Sequence, residues 1–130
     1  QIEASEGKLD AAISTAEKAS VISPNDTGIF FQIGFLRYQN KDYRGAIIAL
    51  ERAVILQPVY SNAKYFLGLS YSKVGRKKDA INQFKDIAYL NPKNNEVKRI
   101  LSNLKKGRSP FVNIAPPLPE KRDNLPIKEQ

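Results

Sequence analysis

The sequence contains no cysteine and no histidine. The common zinc ligand sets are therefore excluded, as are cysteine nucleophiles, disulfides and any triad or general base built on imidazole. No cofactor and no bound metal are expected. A cysteine-free chain fits the cytosol but does not exclude an oxidising compartment, because a helical core needs no covalent staple. Long apolar runs are also missing. The longest, AIIAL at 46–50, falls far short of the roughly 18–20 residues of a membrane span. The segment is expected to be soluble and not to insert into a membrane, lying in the cytoplasm or on the soluble face of a membrane-anchored parent. Its first residues, QIEASEGKLD, carry neither the basic start nor the apolar stretch of a signal peptide, and no initiator Met. That beginning reads as a cut from something longer.

What remains is ordinary in amount and unusual in arrangement. The 130 residues are 42% hydrophobic and 26% charged, enough for one modest core. The net charge of +8 is not spread evenly. Residues 1–72 hold seven basic and seven acidic side chains, residues 109–130 three and three, and residues 73–108 eleven against three. The whole excess sits in one segment, where Arg76, Lys77, Lys78, Lys105 and Lys106 are candidates for binding an anion. Nucleic acid is a poor fit, since the aromatics that would stack bases lie mainly outside that segment. A solvated face of a Lys- and Asn-rich chain is the plainer reading.

Sliding the sequence along itself by 34 residues aligns Ala12, Ala46 and Ala80, and also Pro24, Pro58 and Pro92. The same shift pairs Gly34 with Gly68, Ile33 with Leu67, Phe31 with Tyr65, Leu50 with Phe84 and Leu56 with Leu90. Inside each repeat the apolar residues recur at three- and four-residue steps, so each repeat is read as two helices. Asn40-Lys41-Asp42 and Gly75-Arg76-Lys77 break the pairs, Gly7 does so at the front, and the prolines end the second helices. Helices are expected at about 8–22, 28–39, 43–56, 61–73, 77–90 and 94–106. Gly34 and Gly68, with Ala46 and Ala80, sit where two helices must approach closely.

Ile33-Gly34 with Tyr38, Ala46, Leu50, Ala53 and Pro58 resembles the tetratricopeptide repeat, and so does Leu67-Gly68-Tyr71 with Ala80, Phe84 and Pro92. The pattern departs from the family at Phe30 and Lys64, where Trp is frequent, and at Arg37 and Ile87. The resemblance implies an all-α, right-handed helix-turn-helix solenoid over residues 1–106. It would comprise a partial repeat at 1–26, full repeats at 27–60 and 61–94, and a capping helix at 95–106 with apolar residues at 97, 100, 101 and 104. Residues 1–6 would be the end of a half-missing repeat on which a second chain could pair, giving self-association of the fragment. A disordered, flexible Pro-rich tail is expected over 107–130. It contains the P-x-x-P spacing of a polyproline ligand at 116–119. Phe111, Val112 and Ile114 could instead fold back on the last helix.

The resemblance also implies where partners bind. In the family the first helix of each repeat lines a concave side that takes extended peptides or helices. Carried across, the facing positions are Phe31, Phe35, Tyr38 and Gln39, then Asn62, Tyr65, Leu69, Ser72 and Lys73, with Arg99 and Asn103 from the cap helix. An apolar and aromatic groove for a protein or peptide partner is the expected function. Phe31 and Tyr65 also occupy positions that commonly pack between repeats, so both readings stay open. The Lys, Asn and Arg set with which family members hold the C-terminal carboxylate of chaperones is absent from the two full repeats. No catalytic pair stands out, and a non-enzymatic interaction module is expected. Two other classes stay open: a soluble accessory domain of a bacterial membrane or envelope enzyme, such as a polysaccharide polymerase or ligase, and polyanion binding by residues 73–108.

Overall fold

A computed structural model describes residues 2–114 and 125–129 of the chain, with residues 2–6 described by their backbone alone. Among the described residues there are six helices and no strand: α1 (Ile2–Ile22), α2 (Thr27–Gln39), α3 (Tyr43–Leu56), α4 (Ser61–Lys73), α5 (Lys77–Leu90) and α6 (Asn95–Lys105). The second helices end at Ile22, Leu56 and Leu90. Each stop comes two residues before a repeated proline, which cannot donate into the helical ladder. The chain divides into a first unit, Gln1–Pro58, and a second, Val59–Gln130.

In the first unit α2 lies between α1 and α3. Asp26 and Asp42 cap α2 and α3, accepting from the N–H groups of Ile29 at 3.2 Å and Gly45 at 3.0 Å. A Cβ added at Gly34 would collide with the Leu50 side chain, so the glycine is the slot that lets the two helices close. Leu50, Ala46 and Ala53 are fully buried along that seam. On the other side of α2, Ala16, Ile33 and Ala49 form a small core flanked by Ile29 and Phe30. Arg37 ties all three helices together, with one guanidinium nitrogen on Glu17 of α1 and another on the Gly45 carbonyl of α3 at 3.0 Å.

Expected and observed helices differ at the front. α1 runs unbroken through Gly7, where the spacing predicted a break between two helices. A lone glycine weakens a helix by roughly 1 kcal/mol but blocks no hydrogen bond, so the ladder continues across it.

The second unit repeats the hairpin with larger side chains. A Cβ on Gly68 would come within 2.6 Å of the Phe84 ring, and Tyr65 meets the same ring edge-on at 5.6 Å between centroids. Ile87, Val97 and Ile100 are fully buried, where α5 packs against α6. Asn94 caps α6 through the Val97 N–H at 3.0 Å.

The expected free tail is in part held down. Both amide hydrogens of Asn103 are donated, to the carbonyls of Pro110 and Val112 at 2.9 Å each, and Phe111, Val112 and Ile114 are half-buried. Residues 125–129 lie against α4. Pro110 and Pro126 do not prevent this, because the contacts use the Pro110 carbonyl and groups of other residues and need no donor from proline. The P-x-x-P spacing at 116–119 lies outside the described residues.

Candidate peptide-docking site

At the N-terminal turn of α4 a single side chain holds both main-chain groups of one residue in a non-helical stretch that bends at Pro126 and Ile127. Asn62 is almost fully buried. Its Nδ2 donates to the carbonyl of Ile127 at 2.8 Å, and its Oδ1 accepts from the Ile127 N–H at 3.0 Å. An amide side chain presents one donor and one acceptor in the geometry of a peptide group, so it replaces a neighbouring strand for that residue. The Ile127 side chain is buried, with 4% of its surface exposed.

Two residues further on, the Glu129 carboxylate closes the arrangement. Its Oε1 accepts from the Ser61 N–H at 3.1 Å, and its Oε2 from the Asn62 N–H at 2.7 Å and from Asn62 Nδ2 at 2.6 Å. α4 has no cap of its own, since Tyr60 at its N-cap position makes no side-chain cap bond. Glu129 supplies acceptors for the first N–H groups, at the end where the helix dipole favours negative charge. Burial, and then the Glu129 carboxylate, raise the pKa of the Tyr60 phenol above its usual 10.0. Asn91 Nδ2 donates to Ser61 Oγ at 3.0 Å and ties this turn to the end of α5. A hollow of about 530 Å³ opens beside it, lined by Leu90 to Asn94 with Lys128 and Glu129.

The remaining positions expected to face a partner are distributed as follows. On α2, Phe31 is buried and stacks on half-buried Phe35 at 5.9 Å, Tyr38 is buried and meets Tyr43 edge-on at 5.5 Å, and Gln39 is exposed. On α4, Tyr65 and Leu69 are fully buried, Ser72 is half-buried and Lys73 is exposed. On α6, Arg99 is exposed while Asn103 is buried under residues 110–112. Asn62 alone of these touches residues 125–129 through a hydrogen bond given above. Arg76, Lys77, Lys78, Lys105 and Lys106 are all exposed. Arg76 is engaged locally, with Asp79 at 2.8 Å and over the Tyr71 ring at 4.5 Å.

Sequence reasoning did not single out Ser61, Ile127 or Glu129. It also missed an apolar cleft of about 510 Å³ in the first unit, floored by Phe30 and Ile33 and walled by Ile48, Ile55 and Arg52. Exposed Ile48 and Ile55 carried a signal, since two large aliphatics seven residues apart lie on one face of α3. Ile127 and Glu129 carried none.

These features define the class as an all-α helical-hairpin repeat protein, and comparison with known proteins narrows it. Residues 61–94 match the family model of the tetratricopeptide repeat. Over 88 residues the chain is 33% identical to the PEX5-related protein of Homo sapiens and 32% identical to that of Mus musculus. Those stretches cover 68% of this chain and 14% and 16% of the relatives, so the chain spans a small part of the curated proteins it matches. Two crystal structures of MamA superpose with a TM-score of 0.73 at 25% identity, over 76% of this chain and 58% and 54% of theirs. Residues 61–94 are a tetratricopeptide repeat, and the chain as a whole is similar to proteins of that family.

Proposed function

We propose that this chain is a non-catalytic docking module that binds a non-helical peptide of a protein partner on the face of α4. The observation that supports it is the pair of hydrogen bonds between Asn62 and the main chain of Ile127. A buried amide that satisfies both main-chain groups of one residue is built for a non-helical segment, since in a helix those N–H and C=O groups are already engaged. Tetratricopeptide repeats and their relatives support a protein partner in general. On α2, half-buried Phe35 and exposed Gln39 are proposed as a second contact surface for the same class of partner, with Phe31 and Tyr38 packed beneath them.

The test is a random peptide-display screen against the immobilised chain carrying Ile127→Asp and Glu129→Lys, which clears the α4 face, and against the same chain with Asn62→Ala added, both checked for unchanged helicity. Peptides enriched on the cleared chain and lost on adding Asn62→Ala support the reading. Failure to enrich any peptide on the cleared chain, or enrichment indifferent to Asn62, overturns it. Polyanion binding through Lys77, Lys78, Lys105 and Lys106 makes the opposite prediction, of ligands released by moderate salt.

A further inference from the structure

We propose that residues 125–129 are a built-in ligand, which occupies the α4 face in cis and must be displaced by an external peptide presenting the same aliphatic-x-carboxylate pattern. This rests on the peptide-docking reading above and specifies its ligand and its control.

Five hydrogen bonds join α4 to this segment, and every one of them involves either the Ile127 main chain or the Glu129 carboxylate. Two requirements follow for any occupant. One residue must turn its N–H and C=O together toward Asn62, with its side chain small enough and apolar enough for the buried place Ile127 takes. The residue two positions on must bring an acceptor to the N–H groups of Ser61 and Asn62, which have no other cap. A carboxylate suits that role better than a neutral group, because it meets the positive end of the helix dipole. The intervening Lys128 is exposed and unread. The pattern is i and i+2 because Ile127 and Glu129 both meet the first turn of α4 while Lys128 between them does not.

The hollow beside Lys128 and Glu129 leaves room for an occupant to continue toward residues 90–94. Ten residues, 115–124, connect the segment to residue 114. Being part of the same chain, residues 125–129 compete for α4 intramolecularly, so an external peptide of equal intrinsic affinity competes poorly until they are released.

The experiment uses a fluorescein-labelled heptapeptide, Asn-Leu-Pro-Ile-Lys-Glu-Gln, the sequence of residues 124–130. Fluorescence polarisation measures its binding to the native full chain and to an opened full chain carrying Ile127→Asp and Glu129→Lys. The opened chain is expected to bind at least about tenfold more tightly than the native one. The same peptide with Glu replaced by Lys should lose at least about tenfold on the opened chain, a comparison that leaves the protein untouched and so does not depend on how any variant folds.

Equal affinity of native and opened chains overturns occupancy in cis while leaving peptide docking intact. Indifference to the Glu-to-Lys change overturns the carboxylate requirement. Absence of binding to the opened chain overturns the built-in ligand when the screened peptides still bind, and both readings when they do not. A native chain that sediments as a dimer and an opened chain that sediments as a monomer would overturn the cis arrangement in favour of exchange between copies.

Discussion

In the α2–α3 hairpin Gly34 receives Leu50; 34 residues on, in the α4–α5 hairpin, Gly68 receives Phe84. The same slot is filled by side chains of different shape, and in both cases the filler is fully buried. Neighbouring positions diverge further. Phe30 and Arg52 meet as ring and cation at 5.9 Å, whereas their counterparts Lys64 and Asp86 meet as an ion pair at 3.0 Å. The turn position is Lys41 with φ +62° in one hairpin and Gly75 with φ +83° in the other. Helix starts differ most. Asp26 caps α2 from its own position, but the corresponding Tyr60 caps nothing and Glu129 takes its place. Gly28, the counterpart of Asn62, has no side chain with which to hold a passing segment. The repeat thus preserves the geometry of helix approach and leaves the ends of its first helices free to specialise, and only the second unit has the amide.

Truncating the two fillers tests whether the slots are energetically equivalent. Phe84→Ala should cost about 3–5 kcal/mol and Leu50→Ala about 2–5 kcal/mol in urea denaturation, because each leaves a cavity in a closed seam. Equal losses confined to separate transitions would show the hairpins as independent, and a single shared transition would show them coupled.

The turns should respond in opposite directions. Gly75→Lys forces a side chain into left-handed backbone and should cost about 1–2 kcal/mol. Lys41→Gly should gain about 0.5 kcal/mol, the relieved strain less the extra freedom of glycine in the unfolded chain. Thermal melts of the pair would read both, and loss of stability in Lys41→Gly would mean that this lysine is held for another reason.

The smallest effect concerns Tyr60. Because its folded pKa lies above 10.0, the unfolded chain loses the phenolic proton first, and stability falls as the pH rises past 10.0. Glu129→Gln removes the carboxylate's contribution and should lower the tyrosinate absorbance midpoint while burial keeps part of the rise. An unmoved midpoint would place the carboxylate away from the phenol in solution.

Much of the fold was legible because a repeat states its contacts twice. Gly34 and Gly68 marked the close approaches, and Pro24, Pro58 and Pro92 the ends of helices, through steric rules that hold regardless of context. Gly7 misled because the same residue type permits a break without enforcing one. Asn62 was legible as a facing position, but its occupant was not. Its amide reads main chain, which every residue has, across 65 positions of sequence, so nothing in the identity of Ile127 advertised the contact. Tyr65 and Leu69 faced the same way in the pattern and are fully buried. Periodicity gives the direction of a side chain and not what lies over it.

Asn103 has a consequence for assembly. It stands 34 residues after Leu69, on the helix that in the earlier repeats receives the next partner helix. Here its amide hydrogens go to the carbonyls of Pro110 and Val112 instead. A repeat array grows by offering each new hairpin a bare apolar flank, and polymerises end to end when the last flank stays bare. On α6 that flank is already overlaid by irregular chain anchored through one asparagine. Replacing Asn103 would thus do more than loosen a loop: it would uncover a site for unprogrammed growth.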